Sequence, residues 1–206
     1  MAGKVFFSVS MSLDGFIAPA SSEDLMGQQW MELQRWVFPT RFFRENLTLG
    51  QGGEEGRDND VVRATHLRTG ASVMGKRMFD AGERMWPEEA PFHTPVVVVT
   101  HEKRDPWERP GGTTFHFAND GIEPALDQAR EAAGDRDVRI AGGGATILEY
   151  VNAGLIDEFS IALSPVLFGS GIRLFEGVDA GRVALEQVRA EPTRRVTHLT
   201  YTVRER

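Results

Sequence analysis

The chain has 206 residues, a net charge of −7 and no cysteine. That length supports one hydrophobic core, and the acidic balance argues against a general nucleic-acid binder. Without thiols there is no disulfide, thiol nucleophile or thiolate metal site. Met1-Ala2-Gly3-Lys4 lacks the apolar segment of a secretory leader, and no apolar run approaches the ~20 residues of a membrane span, so a cytoplasmic protein is expected.

Residues 4–11 read as a buried strand carrying Val5, Phe6, Phe7 and Val9, and Ser12-Leu13-Asp14-Gly15 ends it as a turn. Ser21 or Ser22 followed by Glu23-Asp24 predicts a helix cap. Met26, Trp30, Leu33 and Val37 then recur at helical spacing up to Pro39. Over residues 46–59, Gly50, Gly52, Gly53 and Gly56 stand among acids and predict a long loop. Asp60 is the expected N-cap of a helix running through His66. A strand over 71–74 and a helix from Lys76 follow. The β-branched run 96–99 is too apolar for an edge and belongs inside a sheet. Gly111-Gly112 turns into a strand over 113–117, and Ile122, Leu126 and Ala129 stripe a helix. Next come a strand over 138–141, a helix marked by Ile147, Leu148 and Val151 that Gly154 ends, and a strand over 159–163. The tail alternates over 183–188 and 196–203, as antiparallel strands do. The pattern predicts α/β layers around a mixed sheet, with no internal repeat, in a single domain over 1–206 bearing an insertion at about 19–59.

Two glycine-bearing passages run from an apolar strand into a helical pattern: Ser72-Val73-Met74-Gly75-Lys76-Arg77-Met78-Phe79 and Val138-Arg139-Ile140-Ala141-Gly142-Gly143-Gly144-Ala145-Thr146. Free backbone N–H groups and the positive end of a helix dipole can hold a phosphate at such a place. Two of them in one α/β layer suit a ligand with more than one phosphate, such as a dinucleotide. The Rossmann fingerprint fails because Ile147 stands where its third glycine belongs, and Gly75-Lys76 lacks the Ser or Thr that completes a Walker A loop.

In sequence order, the passages 9–18, 74–79, Thr100-His101 after the valine run, and 142–144 resemble the dihydrofolate reductase-like superfamily. Ser12-Leu13-Asp14-Gly15, together with Leu163-Ser164-Pro165-Val166-Leu167-Phe168-Gly169-Ser170-Gly171, is closer to the reductase half of the bifunctional riboflavin-biosynthesis deaminase–reductase. The resemblance implies a three-layer dihydrofolate reductase-like fold with an antiparallel C-terminal strand pair, a homodimer, and NADPH as hydride donor. It implies a cofactor site at Ala18, Gly75, Lys76, Arg77, Met78, Thr100, His101, Gly142, Gly143, Gly144, Ala145 and Thr146. No zinc-deaminase half is present, and the folate motif Trp-x-x-Pro-x-Asp is not visible; Asn59 and Asp60 stand near its position.

Each of these residues also has an ordinary structural reading. Lys76 and Arg77 could be solvated charges on a surface helix, and the triple glycine a tight turn. Thr100, His101, Lys103 and Arg104 could recognise an adenosine 2′-phosphate or form an exposed strand end. Asp14 is the candidate for orienting substrate or relaying a proton, against a turn-forming Asp-Gly; Asp60 is a second candidate, against a helix cap. The histidines show no metal-ligand spacing, so no metal is expected. Trp30, Trp36, Phe38, Phe42 and Phe43 could roof a substrate pocket, bury a dimer contact or form a satellite core. The expected activity is NADPH-dependent reduction of a small heterocycle resembling 5-amino-6-(5-phosphoribosylamino)uracil, with neither nucleic acid nor membrane as partner. A dihydrofolate- or pterin-type reductase, a non-catalytic nucleotide-binding module and a flavin- or deazaflavin-dependent relative stand as alternatives.

Overall fold

In a computed structural model, which describes residues 3–21, 24–47 and 49–205, the alternating pattern becomes a nine-stranded sheet covered by helices on both faces. The chain opens with β1 (Val5–Ser12), β2 (Phe16–Ala18), α1 (Gln28–Leu33), α2 (Arg41–Asn46) and α3 (Arg57–Arg68). It continues through β3 (Thr69–Gly75), α4 (Lys76–Glu83), β4 (Val96–Val99), β5 (Trp107–Arg109), a 3-10 turn at Pro110–Gly112 and β6 (Thr113–Ala118). Then come α5 (Ile122–Ala133), β7 (Asp137–Gly142), α6 (Gly144–Asn152), β8 (Glu158–Ser164), β9 (Ile172–Arg173), β10 (Val183–Pro192) and β11 (Thr197–Glu205). The strand order is β10-β11-β8-β1-β7-β3-β4-β6-β5. Pairings from β8 across to β6 are parallel, whereas β5 on one side and the β11–β10 pair on the other run antiparallel. A separate two-stranded ladder joins β2 to β9.

Parallel strands covered on both faces need apolar side chains on both. Every residue of β3 is buried, and Val96, Val97 and Val98 are fully so. On one face Val5, Phe7, Val73 and Ile140 pack under Leu126 and Ala129 of α5 and under Ile147 and Tyr150 of α6. On the other, Met74, Val96, Val98 and Phe115 receive Phe79 of α4, and Trp86 stacks on Phe115 at 5.2 Å. A third, smaller cluster joins Trp36 to Ala162 and Val196, with Val61 and Val62 of α3 against it. No helix among the described residues is long and apolar enough to cross a membrane.

The insertion departs most from the sequence reading. The stripe 26–37 is not one helix. Only Gln28–Leu33 is helical, opened by Gly27, and the chain then turns through 34–39. Leu33 and Trp36 are the buried residues there, while Met26, Trp30 and Val37 are half-buried. Trp36, which is not part of the predicted stripe, is buried in place of Val37, and its indole N–H reaches the Ser10 hydroxyl on β1 at 2.8 Å. Ser22 and Glu23, two of the predicted capping residues, lie outside the described residues. The loop expected over 46–59 is shorter, since α3 begins at Arg57 behind Gly56. Asp60 is therefore not the N-cap; it sits in the first turn, where its charge suits the helix dipole. The loop is also tied down: Glu54 bridges to Thr40, receives both guanidinium arms of Arg195 at 2.7 Å, and is followed by the Arg41–Glu55 ion pair.

Candidate functional site

The two glycine junctions, distant in sequence, are side by side in space. β3 and β7 are sheet neighbours, with Met74 paired to Gly142. From β3 the chain crosses by α4 to β4 on one side; from β7 it crosses by α6 to β8 on the other. A crevice opens at the C-terminal ends of parallel strands where such connections diverge. Neither α4 nor α6 has a side-chain cap, so the first-turn N–H groups of both helices point into that crevice without one. Gly143 has φ 83°, a region costly for other residues, and a Cβ built on it would come within 3.8 Å of the Gly75 Cα. A Cβ on Gly75 would collide with the Thr146 hydroxyl, and one on Gly142 would lie 2.7 Å from the Met78 sulfur. Side chains at these positions would close the space between the junctions.

The crevice is the mouth of a cavity of about 1020 Å³. Every residue expected to hold the cofactor lines it: Ala18, Gly75, Lys76, Arg77, Met78, Thr100, His101, Gly142, Gly143, Gly144, Ala145 and Thr146. Their charges are not equivalent. The Lys76 ammonium lies 2.6 Å from Asp80 and 3.1 Å from Glu102, and the Asp80 hydrogen bond leads in raising its pKa. Arg77 donates to the Ala20 carbonyl at 2.6 Å. Thr100 is buried, and its hydroxyl accepts the Glu102 N–H at 3.0 Å. Arg104 is turned away instead: it pairs with Glu83 at 2.7 Å and covers the rings of Phe79, Trp107 and Phe117, and neither it nor Lys103 lines the cavity.

The far half of the cavity runs beneath α3 and the insertion. Its floor comes from alternate residues of β1 and β7, Ser8, Ser10 and Arg139; Thr65 and His66 come from α3; Trp30, Trp36, Phe42 and Phe43 come from the insertion. The aromatic insertion is thus both a wall of the cavity and, through Trp36, part of a small core. His66 packs on Phe42 and His93 at ring distances of 5.1 and 5.8 Å. Desolvation, helped by the positive fields of His93, Arg139 and Arg136, holds its pKa below the ordinary histidine range. Burial draws the Arg139 guanidinium down to about 10. Beyond the cavity wall, His198 and Asp58 form a buried pair at 2.8 Å beside Trp36. Arg139, His66 and the His198–Asp58 pair escaped the sequence reading. The one available signal was a charged residue between Val138 and Ile140 in a strand whose neighbours demand apolar side chains.

The two predicted carboxylates lie elsewhere. Asp14 accepts hydrogen bonds from the Ser12 hydroxyl at 2.6 Å and from the N–H groups of Phe168 and Gly169 at 3.1 and 2.7 Å. The Ser12 bond leads in lowering its pKa to about 2. It does not line the cavity; it clamps the loop after β8 to the turn after β1. Asp60 is exposed on α3 and also absent from the lining. Among the described residues, no group of three or more His, Asp or Glu side chains is placed to hold a metal ion.

Comparison with known proteins agrees with this geometry. The family model for the RibD C-terminal domain matches residues 3–199. The chain is 35% identical over 72 residues to a curated relative, Uncharacterized protein YyaP of Bacillus subtilis (strain 168), a stretch covering 35% of this chain and 37% of that protein. The match thus spans little more than a third of that relative's length. A solved structure of a putative riboflavin biosynthesis protein from Shewanella sp. PV-4 superposes with a TM-score of 0.65 at 22% identity, covering 98% of this chain and 99% of that one. Dihydrofolate reductase from Enterococcus faecalis, complexed with NADP(H) and RAB-propyl, superposes with a TM-score of 0.56 at 15% identity, covering 100% and 98%. The fold is dihydrofolate reductase-like: a mixed central sheet between helical layers with an antiparallel C-terminal pair.

Proposed function

We propose an activity for this chain from one premise: it belongs to the RibD C-terminal domain family. The activity is NADPH-dependent reduction of a small heterocyclic substrate of the riboflavin-pathway type, with 5-amino-6-(5-phosphoribosylamino)uracil as the first substrate to try. The observation that carries it is the meeting of two uncapped, glycine-lined helix starts at one cavity mouth. The glycines let the two junctions pack closely against Thr146 and Met78, which brings both helix starts to one place, as a ligand whose phosphates meet backbone N–H groups would require. The NADP(H) complex of the enterococcal relative and the riboflavin-related name of the Shewanella relative support the reading.

In this reading Gly75 and the run 142–146 hold the pyrophosphate, Arg77 supplies a positive charge that pairs with no carboxylate among the described residues, and Thr100 and His101 border the adenosine end. Bound NADPH would supply the hydride. The protein positions the acceptor ring against it, excludes water with the aromatic insertion, and admits one proton. Asp14 cannot deliver that proton near neutral pH: at a pKa of about 2 it is ionised, and it stands outside the cavity. His66 lines the substrate half and is the histidine placed to hold or pass a proton there.

The test is a titration of the purified protein with NADPH and with NADH, followed by tryptophan fluorescence, since Trp30 and Trp36 line the cavity. NADPH should bind more tightly, and Arg77→Ala and Gly143→Val should each weaken it about tenfold or more, the valine because it must occupy a left-handed conformation in the cradle. If neither nucleotide binds up to low-millimolar concentration, the reductase reading fails.

A further inference from the structure

Among the described residues, Arg139 is the cavity-lining cation that is shielded and has no carboxylate beside it. On β7, Arg139 is in register with Phe6 of β1 and lines the cavity beside Ser8 and His66. One guanidinium arm, Nη2, donates to the Ser8 carbonyl at 3.3 Å, while Nε is shut away from water with no hydrogen-bond partner. Burial alone shifts its pKa; no carboxylate contributes. The other strong cations of the lining differ, since Lys76 is paired with Asp80 and Glu102, and Arg77, which donates to the Ala20 carbonyl, is exposed. Among the described residues, two carboxylates line the cavity, Glu102 and Glu149, and both are exposed. His66, which lines the cavity with it and feels its charge, is pushed toward its neutral form and offers no compensating negative charge.

A shielded donor left without an acceptor is costly, and so is a largely desolvated charge without a partner. An interior strand of a parallel sheet would ordinarily carry an apolar residue at this place. Position along β7 separates Arg139 from the nucleotide cradle: it precedes Gly142 by three residues, about 10 Å at the usual strand rise. It belongs to the half of the cavity walled by Trp30, Phe42 and Phe43, where a flat ring would stack.

We propose that Arg139 is the receptor for an oxyanion on the substrate, so that the substrate is a flat ring carrying a carboxylate, an ionised ring oxygen or a phosphate-bearing substituent. The Nη hydrogens that the Ser8 bond leaves free form the planar fork that such groups accept. The choice of ring substrate rests on the reductase reading above; the charge preference does not.

The test uses the full chain saturated with NADPH, so that the glycine cradle is filled, and measures binding of two matched pairs by calorimetry: orotate against uracil, and uridine 5′-monophosphate against uridine. The first pair reports a ring-borne carboxylate and the second a ribose-borne phosphate. At least one anion should bind about tenfold or more tightly than its neutral parent, a difference of about 1.4 kcal/mol. Arg139→Gln should abolish that preference with NADPH affinity intact. Arg139→Lys, which keeps the charge but not the fork, should keep part of it, and it serves alone if the glutamine variant does not fold. Equal binding of anion and parent by the wild-type protein, binding of no anion up to about 10 mM, or a preference undiminished in both variants would overturn the proposal. If NADPH itself does not bind, the reductase reading fails, and the orotate–uracil comparison on the nucleotide-free protein still decides the charge preference.

Discussion

Asp14 shows how a residue type suggestive of chemistry can be consumed by structure. Its carboxylate gathers the Ser12 hydroxyl and two backbone N–H groups, and those bonds favour the ionised form. The folded pKa of about 2 lies below the ordinary 3.8, so the carboxylate contributes stability that is fully present above 3.8 and is lost as pH falls toward 2. Asp14→Asn cannot titrate. The stability difference between wild type and this variant, measured by urea unfolding, should therefore shrink between pH 4 and pH 2, while amide exchange at Phe168 and Gly169 quickens at neutral pH. A difference that stays constant across that window would show that the carboxylate charge is not what holds the loop. His66 illustrates the opposite case, a side chain unremarkable in the sequence whose surroundings place it in the cavity and disfavour its charge.

At the scale of elements, one buried polar contact ties Trp36 of the insertion to the sheet. The Trp36 indole N–H donates to the Ser10 hydroxyl at 2.8 Å between two buried side chains, in the smallest of the three cores. Trp36→Phe removes the donor and leaves the hydroxyl under an apolar ring, which should cost about 2 kcal/mol of stability by urea unfolding. Adding Ser10→Ala to that variant should cost little more, because the hydroxyl has by then lost its partner; a fully additive second loss would show that the bond carries nothing. The serines that alternate with apolar residues in β1 already marked one face of that strand as polar in the sequence. The β3–α4 and β7–α6 junctions were equally legible, because strand, glycine and helix follow one another locally. The residues expected from them to meet a cofactor do line the cavity. What could not be read depends on length or on distance. β2, β5 and β9 are too short to show a period, and so are α1 and α2. Asp58 finds His198 across 140 positions, and nothing local to either residue announces the other.

At the scale of the molecule, the cavity is a property of the sheet order rather than of any one segment. β1 and β7 supply its floor, α3 and the insertion its roof, and the diverging β3 and β7 connections its mouth, so its walls exist together only in the folded chain. A nucleotide that binds there binds the native state alone and must stabilise it by linkage. At about 100 times its Kd the gain is about 2.7 kcal/mol, and for a chain of this size about 2–4 °C accompanies each kcal/mol, which puts the rise in Tm at about 5–11 °C. Arg77 is exposed and, among the described residues, bonded only to the Ala20 carbonyl, so Arg77→Ala should leave the nucleotide-free Tm within about 2 °C of wild type. If the same substitution weakens NADPH tenfold, linkage at the same nucleotide concentration leaves about 1.4 kcal/mol, and the rise in Tm should fall to about half. Differential scanning fluorimetry on the two proteins with and without NADPH makes the comparison. Equal rises in both would mean that Arg77 does not meet the nucleotide, and would move the cofactor's charged end away from the start of α4.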